Sequence, residues 1–124
     1  RKGSSYNSAF LISKKGGISE EYRKIHLVPF GEYIPLIGRI PFLRQFVPIQ
    51  GVFTRGKDYT VFTVNGIKFS TVICFEDIFP GLVRRFVERG AGIIVNLTND
   101  TWFGLTAEPY QHAALSVFRA VENG

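Results

Sequence analysis

The stretch Phe69 to Pro80, FSTVICFEDIFP, decides the fold of this chain. It begins with β-branched and aromatic residues, which predict a buried strand that ends at Cys74, the only cysteine. Two acids follow, Glu76 and Asp77, and then Phe79-Pro80-Gly81 predicts a turn into a helix. A thiol at such a strand exit is held rigidly and can meet the free N–H groups of the helix, as a nucleophile requires. The same cysteine also fits a small buried hydrophobe.

The composition is that of one folded domain or part of one. The 124 residues are 45% hydrophobic, which argues against disorder. One cysteine excludes an internal disulfide, and with two scattered histidines it makes no familiar zinc site, so we predict no metal and no cofactor. The net charge of +5 is spread without a Lys/Arg block, which argues against a nucleic-acid partner. An anionic membrane surface is a better candidate.

The first part of the chain predicts a hairpin and then an unusual loop. Asn7 to Ser13 and Ile18 to Tyr22 predict two antiparallel strands around a Lys14 to Gly17 turn. Ile34 to Phe53 carries three prolines among apolar residues, which excludes a long helix or a central strand. So much apolar surface on a loop predicts either a lid over a pocket or a contact with lipid.

The second part alternates strands and helices and predicts the α/β class. The predicted elements are a hairpin of Tyr59 to Val64 and Ile67 to Cys74 around Asn65-Gly66, a helix Val83 to Arg89, a strand Gly92 to Leu97 and a helix Glu108 to Glu122. In the first helix Leu82, Val83 and Phe86 should face the sheet. The strand Gly92 to Leu97 is continuously apolar and should be buried on both faces. We interpret His112 as an ordinary helix-face residue.

Three words of the sequence resemble one known family. YRKIHLVPFGEYIP, ICFEDIFP and NLTNDTWFG are similar to the carbon–nitrogen hydrolase (nitrilase) superfamily, and within it to the apolipoprotein N-acyltransferases of the bacterial inner membrane. The resemblance runs from about Asn7 to the last residue. It implies an α-β-β-α sandwich, of which this chain would be a part. Residues 1–124 would then be a piece of a single domain, truncated at both ends.

The resemblance also implies roles for individual residues. Cys74 would be the nucleophile of a Glu-Lys-Cys triad, Lys24 the triad lysine and Glu32 a further active-site glutamate. Phe75 and Glu76 occupy the family's positions just after the nucleophile, where the Phe75 N–H would help to hold an oxyanion. No residue matches the general-base glutamate, which should lie well upstream of Lys24, so we expect these residues alone to be inactive.

Other residues of these three motifs are further candidates for lining a substrate pocket. His26 could orient a loop or take part directly, and Tyr33 lies in the same word. Asn99, with Asp100, is predicted to cap a turn rather than to contact substrate. Trp102 and Phe103 could either wall an acyl pocket or pack the sandwich.

The resemblance implies a two-step acyl transfer. Cys74 would take a fatty acyl chain from a phospholipid as a thioester, and the amine of a diacylglyceryl-lipoprotein would then receive it. The resemblance also implies the periplasmic side of the bacterial inner membrane. Because both partners are membrane lipids, we favour a lipid-facing lid at Ile34 to Phe53. Two alternatives remain, a soluble amidase or nitrilase acting on a small substrate, and a non-catalytic binding module.

Overall fold

The computed structural model describes residues 3–33 and 53–124, without the side chains of Trp102 and Phe103. The predicted apolar loop Ile34 to Phe53 therefore lies outside the described residues, except for Phe53. Within the described ranges, no helix has both the length and the apolar character needed to cross a bilayer.

Five strands and two α-helices make up the described fold. They are β1 (Ser8–Ile12), β2 (Ile18–Arg23), β3 (Phe62–Val64), β4 (Ile67–Ile73), α1 (Pro80–Glu88), β5 (Ile93–Leu97) and α2 (Glu108–Asn123), with 3-10 helices at Cys74–Ile78 and Asp100–Phe103. The first 3-10 helix, Cys74–Ile78, is called the Cys74 turn below. The α/β class predicted from the sequence is confirmed.

The two predicted hairpins are confirmed, with adjusted bounds. Strands β1 and β2 pair antiparallel, and Gly16 closes their turn at φ 82°. Strands β3 and β4 pair antiparallel around Asn65 and Gly66, which have φ 51° and 81° as a type I′ turn requires. The first strand of this hairpin is shorter than predicted, because regular pairing begins only at Phe62.

The sheet β3-β4-β5 separates two different environments. Strand β5 pairs parallel to β4, and α1 forms the connection between them. On one face, Val72 and Ile94 line a cavity of about 420 Å³ together with residues of α1 and α2. On the other face, Thr71 and Val95 line a cleft with residues of β1. The described layers are therefore helices, sheet and second sheet.

Helix α1 packs as its sequence predicts. Leu82, Val83 and Phe86 are buried, and Pro80 at the first turn starts the helix because its missing N–H is not needed there. The ring of Phe86 contacts the ring of Tyr22 edge-on, with centroids 5.5 Å apart. This contact joins the helical layer to the end of β2.

The prediction that the strand Gly92 to Leu97 is buried on both faces is wrong. Ile93, Val95 and Leu97 are 52%, 39% and 46% exposed. The reason is that β5 lies at the edge of the described sheet, and its second face is only partly covered by the short β1-β2 hairpin. The continuous apolar run therefore predicted a burial of both strand faces that is not seen among the described residues.

Candidate active site

Cys74 lies where β4 ends and the chain reverses into a short 3-10 helix. Its backbone has φ 56°, in the left-handed region that residues with a side chain rarely adopt. Such strain persists only where the surroundings impose it, and it is common at functional sites. Cys74 is partly exposed and packs against the edge of the hydrophobic core.

The carboxylate of Glu76 fastens the Cys74 turn to the segment after β2. Glu76 is fully buried, and its Oε1 accepts hydrogen bonds from the N–H groups of Ile25 at 2.8 Å and His26 at 2.9 Å. Its Oε2 accepts from the N–H of Ile73 at 2.9 Å, and the Tyr22 hydroxyl donates to both oxygens. Every one of these donors is neutral. One carboxylate thus joins the backbone just after Lys24 to the backbone just before Cys74.

Burial also changes the acidity of the hydroxyl that donates to Glu76. Tyr22 is fully buried, and its burial together with the neighbouring charge of Glu76 raises the pKa of the Tyr22 hydroxyl strongly. The hydroxyl therefore stays protonated and remains a donor throughout the physiological pH range.

Lys24 and Glu32 form a buried ion pair. The distance from Lys24 Nζ to Glu32 Oε2 is 2.8 Å, and the Lys24 side chain is only 1% exposed. The other donors to Glu32 are the Asn7 amide at 2.7 Å and the Val28 N–H at 2.9 Å. Two of the residues predicted as catalytic therefore contact one another. A solvated surface lysine, the ordinary expectation for Lys24, is excluded.

The surroundings of Glu32 keep it ionised. Burial alone would raise the pKa of its carboxyl, but hydrogen bonds from Lys24, Val28 and Asn7 outweigh burial and lower that pKa. The ionised carboxylate of Glu32 thus lies 2.8 Å from the Lys24 side-chain nitrogen.

The backbone of Lys24 is held on both sides. Its N–H donates to the carbonyl of Asn7 at 2.8 Å, and its carbonyl accepts from the N–H of Gly56 at 2.8 Å. A Cβ at position 56 would collide with the carbonyl of Arg23, so only glycine allows the chain to pass this close. The ammonium therefore projects from a fixed backbone.

A second buried carboxylate of the Cys74 turn points the opposite way, toward α2. Asp77 Oδ1 lies 3.1 Å from Nε2 of His112, and Asp77 Oδ2 accepts from the Ser116 hydroxyl at 2.9 Å. The other ring nitrogen of His112, Nδ1, lies 3.0 Å from Asp100 Oδ1. The His112 ring also stacks on Phe75, with centroids 4.7 Å apart.

The two carboxylates determine the charge of this histidine. Burial disfavours the imidazolium, but the hydrogen bond to Asp100 and the charge of Asp77 outweigh burial and raise the pKa of His112. The pKa of Asp100 is lowered, first by the hydrogen bond from Thr98 and then by His112. The cluster thus favours a protonated histidine beside an ionised Asp100.

The interpretation of His112 as an ordinary helix-face residue is wrong, because it is 2% exposed and has two acidic partners. Sequence reasoning also gave no role to Asp77. A usable signal was present in α2, where His112, Ser116 and Arg119 share one helical face at spacings of four and three residues. Their partners lie more than thirty residues away, beyond the reach of a periodicity argument.

Three further pocket candidates, His26, Tyr33 and Asn99, make contacts that the structure describes. The ring of His26 stacks on Phe79, with centroids 4.3 Å apart, and burial lowers the pKa of His26. Tyr33 closes a tight turn by accepting the Phe30 N–H through its carbonyl at 2.7 Å. The predicted cap is confirmed at Asn99, whose side chain accepts from the N–H of Thr101.

The side chains of Trp102 and Phe103 lie outside the described part of the chain, so the choice between acyl-pocket wall and packing stays a prediction. Among the described residues, no group of three or more His, Cys, Asp or Glu side chains is arranged to hold a metal ion.

Comparisons with known proteins agree on one family. The family model for the carbon–nitrogen hydrolases matches residues 1–124. The apolipoprotein N-acyltransferase of Geobacter metallireducens is 45% identical over 117 residues, which cover 94% of this chain and 22% of that protein. The apolipoprotein N-acyltransferase of Bdellovibrio bacteriovorus is 41% identical over 124 residues, which cover 96% of this chain and 23% of that protein. This chain thus spans under a quarter of the length of these two relatives.

A solved structure is similar as well. A mutant amidase from Nesterenkonia sp. AN1, with acrylamide added at its active-site cysteine, superposes with a TM-score of 0.61 at 26% identity, covering 94% of this chain and 38% of that one. The predicted nitrilase-type fold is therefore confirmed as a partial one. The family model and the sequence identity both lead to the same conclusion: this chain belongs to the carbon–nitrogen hydrolase family.

Proposed function

We propose that this chain is part of the catalytic domain of a lipoprotein N-acyltransferase in which Cys74 is the nucleophile and Lys24 and Glu32 are its charged partners. The observation that carries the proposal is the buried Lys24–Glu32 pair, joined to the Cys74 turn through Glu76. The relatives named apolipoprotein N-acyltransferase support the choice of reaction. The similar amidase with a modified active-site cysteine supports the choice of nucleophile.

In the first step the Cys74 thiolate attacks the ester carbonyl of a phospholipid. The carbon–sulfur bond forms, and the ammonium of Lys24 and the N–H of Phe75 stabilise the resulting oxyanion, each such donor being worth about 3 kcal/mol. The carbon–oxygen bond then breaks, and the leaving alkoxide takes a proton and departs as a lysophospholipid. A thioester remains on Cys74.

In the second step the α-amine of a diacylglyceryl-lipoprotein attacks that thioester. A carboxylate removes the amine proton, the carbon–nitrogen bond forms and the Cys74 thiolate leaves, so that the enzyme is regenerated. Thioesters react readily with amines. The chemistry therefore needs water excluded more than it needs a stronger nucleophile.

The general base of the triad belongs, in this proposal, to a glutamate outside these 124 residues. Neither Glu20 nor Glu21 fits that role, because both lie in β2 close to Lys24 and Glu21 is already bound by Arg23 and Ser8. Residues 1–124 alone should then have no activity, as one part of a single larger domain.

In this proposal the whole protein acts at the bacterial inner membrane, where its phospholipid and lipoprotein substrates lie, with this domain on the periplasmic side. The apolar segment Ile34 to Phe53 would then form a lipid-facing lid that guides acyl chains and keeps water out. Its sequence, with Arg39 and Arg44 as the only charges, fits the boundary between lipid tails and headgroups.

A direct test uses the full-length protein in phospholipid vesicles with a radiolabelled acyl chain and a synthetic diacylglyceryl-cysteine peptide. We expect label to reach the peptide amine, and we expect no transfer from Cys74→Ala or Lys24→Met. Glu88→Gln is the matched control, since Glu88 lies on the exposed face of α1 and, among the described residues, pairs with the exposed Arg84.

The amidase alternative is tested in the same preparation with butyramide. Hydrolysis of butyramide without any acyl transfer to the peptide would overturn the proposal in favour of a soluble-type amidase. Absence of both reactions in a folded protein, with the vesicle control intact, would instead favour a binding module.

A further inference from the structure

The strongest unassigned feature of the fold is the contact between α2 and the Cys74 turn. Three side chains on one face of α2 hold the turn at successive points: His112 stacks on Phe75 and reaches Asp77, Ser116 donates to Asp77, and Arg119 donates to the carbonyl of Ile78 at 3.4 Å. No other helix contacts the turn through as many polar groups among the described residues.

The contact between α2 and the Cys74 turn depends on how many protons the His112 ring carries. An ionised carboxylate only accepts hydrogen bonds, and both ring nitrogens of His112 face one, Asp77 at 3.1 Å and Asp100 at 3.0 Å. A neutral imidazole has one N–H and can satisfy only one of the two acids. Both contacts therefore exist together only when the histidine carries two protons.

We propose that the Asp77–His112–Asp100 cluster is a positioning clasp that fixes the Cys74 turn against α2, and that loss of the His112 proton opens the clasp and slows acylation of Cys74. His112 is a positioning residue in this proposal and does not touch the substrate. The kinetic part of the inference rests on the acyltransferase function proposed above.

Loss of the proton leaves one of the two carboxylates without its histidine donor. Where that acid is Asp77, which is 2% exposed and lies three residues after Cys74, its charge keeps only the neutral Ser116 hydroxyl as donor, and the weaker pairing would displace the turn. A shift of about 1 Å in a nucleophile can cost about a hundredfold in rate. The clasp therefore connects an ionisable group on α2 with the geometry of the thiol.

The other charges around the ring do not replace these partners. From the Cys74 turn the facing acid is Asp77, and from the 3-10 helix Asp100–Phe103 it is Asp100. On α2 itself, Glu108 lies one turn before His112, and Arg119 lies two turns after it and pairs with Glu122. Two acids facing one histidine outweigh these more distant charges.

Replacement of Asp77 by asparagine keeps the contacts of the clasp but removes their dependence on a protonated His112. In Asp77→Asn the amide oxygen can still accept from Ser116 while the amide nitrogen donates to Nε2 of a neutral His112, whose Nδ1–H then donates to Asp100. Every contact is kept without the second proton. Asp77→Ala removes the contacts, and His112→Gln removes the ring that spans both acids.

The test measures the full-length protein in detergent from pH 6 to pH 9 in two ways. Hydrogen exchange, corrected for its intrinsic pH dependence, reports protection of the peptide containing residues 74–79, and a burst assay reports thioester formation. Wild type should lose protection and burst rate as the pH rises through the pKa of His112. His112→Gln and Asp77→Ala should be about tenfold to a hundredfold slower at pH 6, as expected for a misplaced nucleophile.

The decisive comparison is that Asp77→Asn should stay near the wild-type value at pH 6 and lose the decline at higher pH. Glu88→Gln serves as the surface control and should follow wild type. An unchanged decline in Asp77→Asn, or wild-type behaviour of a folded His112→Gln, would overturn the clasp. Because hydrogen exchange needs no substrate, it tests the clasp even in a protein that transfers no acyl chain.

Discussion

Two neighbouring acids of the Cys74 turn, Glu76 and Asp77, are both buried, but their carboxylates are hydrogen-bonded by different kinds of donor. Within the described part of the chain, Glu76 accepts from neutral donors, three backbone N–H groups and the Tyr22 hydroxyl. Asp77 accepts from the neutral Ser116 hydroxyl and also contacts His112, whose ability to donate changes with pH. The contact made by Glu76 should therefore be independent of pH, whereas the contact between Asp77 and His112 should depend on it.

This difference matches the positions of the two acids. Glu76 connects the Cys74 turn to the backbone just after Lys24 and so fixes the distance between these two segments. Asp77 connects the turn to α2. A fold that fixes the first distance firmly can tolerate a titrating contact at the second.

The largest expected effect comes from breaking the contact made by Glu76. Glu76→Gln puts amide hydrogens against backbone donors in a site with no exposed surface, and hydrogen bonds to a charged group are worth about 1.5 to 3 kcal/mol each. We expect the free energy of unfolding to fall by about 4 to 6 kcal/mol, nearly equally at pH 6 and pH 8. Thermal and urea unfolding of the full-length protein measure it, and a loss under 1 kcal/mol would refute the assignment.

The ion pair of Lys24 and Glu32 should contribute a pH dependence of stability opposite to that of His112, at acid pH. Because the folded protein lowers the pKa of Glu32, its stabilising contribution is complete above its ordinary value of 4.5 and is lost as the pH falls through the folded value. Glu32→Gln leaves the Lys24 ammonium buried without its counter-charge, which should cost about 3 kcal/mol at pH 7.

The Glu32→Gln difference should shrink as the pH is lowered from 5 toward 3, and urea titrations at several pH values measure this. A difference that is constant across that range would contradict the ion pair. The contact between Asp77 and His112 behaves oppositely, because a raised pKa at His112 gives stability below its ordinary value of 6.5 that is lost as the pH rises.

The smallest expected effect concerns the far side of the clasp. Asn99 caps the 3-10 helix that carries Asp100, accepting from Thr101 through both the N–H and the hydroxyl. Asn99→Ala should cost about 1 kcal/mol, as loss of a cap usually does, and should weaken the pH dependence of protection at the Cys74 turn. Differential scanning calorimetry with Glu88→Gln as the control, expected within about 0.5 kcal/mol of wild type, checks the size.

Local patterns predicted the elements well where neighbouring residues determine them. The Asn65-Gly66 turn requires two left-handed residues, and the apolar face of α1 follows from Leu82, Val83 and Phe86, so both could be predicted from short windows. The prediction that Lys24 and Glu32 belong to one active site came instead from the resemblance of the surrounding sequence motifs to a family. Composition or spacing alone would have left Lys24 on the surface.

The polar interior of α2 could not be predicted in the same way. Val117, Phe118 and Val121 are 61%, 58% and 77% exposed, while His112 is buried, so the helix turns polar side chains toward the described core. A hydrophobic period identifies a helix but assumes that its apolar face is the inner one. The assumption fails here because the buried acid of the Cys74 turn requires donors that only distant residues supply.

The central claim is that Cys74 carries the acyl chain, and mapping the acyl-enzyme tests it most directly. The full-length protein is incubated with phospholipid and no acceptor, digested, and analysed by mass spectrometry for a hydroxylamine-sensitive acyl adduct. We predict the adduct on the peptide containing Cys74 and its disappearance in Lys24→Met. An adduct on another residue, or one on Cys74 that forms equally well without Lys24, would contradict the account.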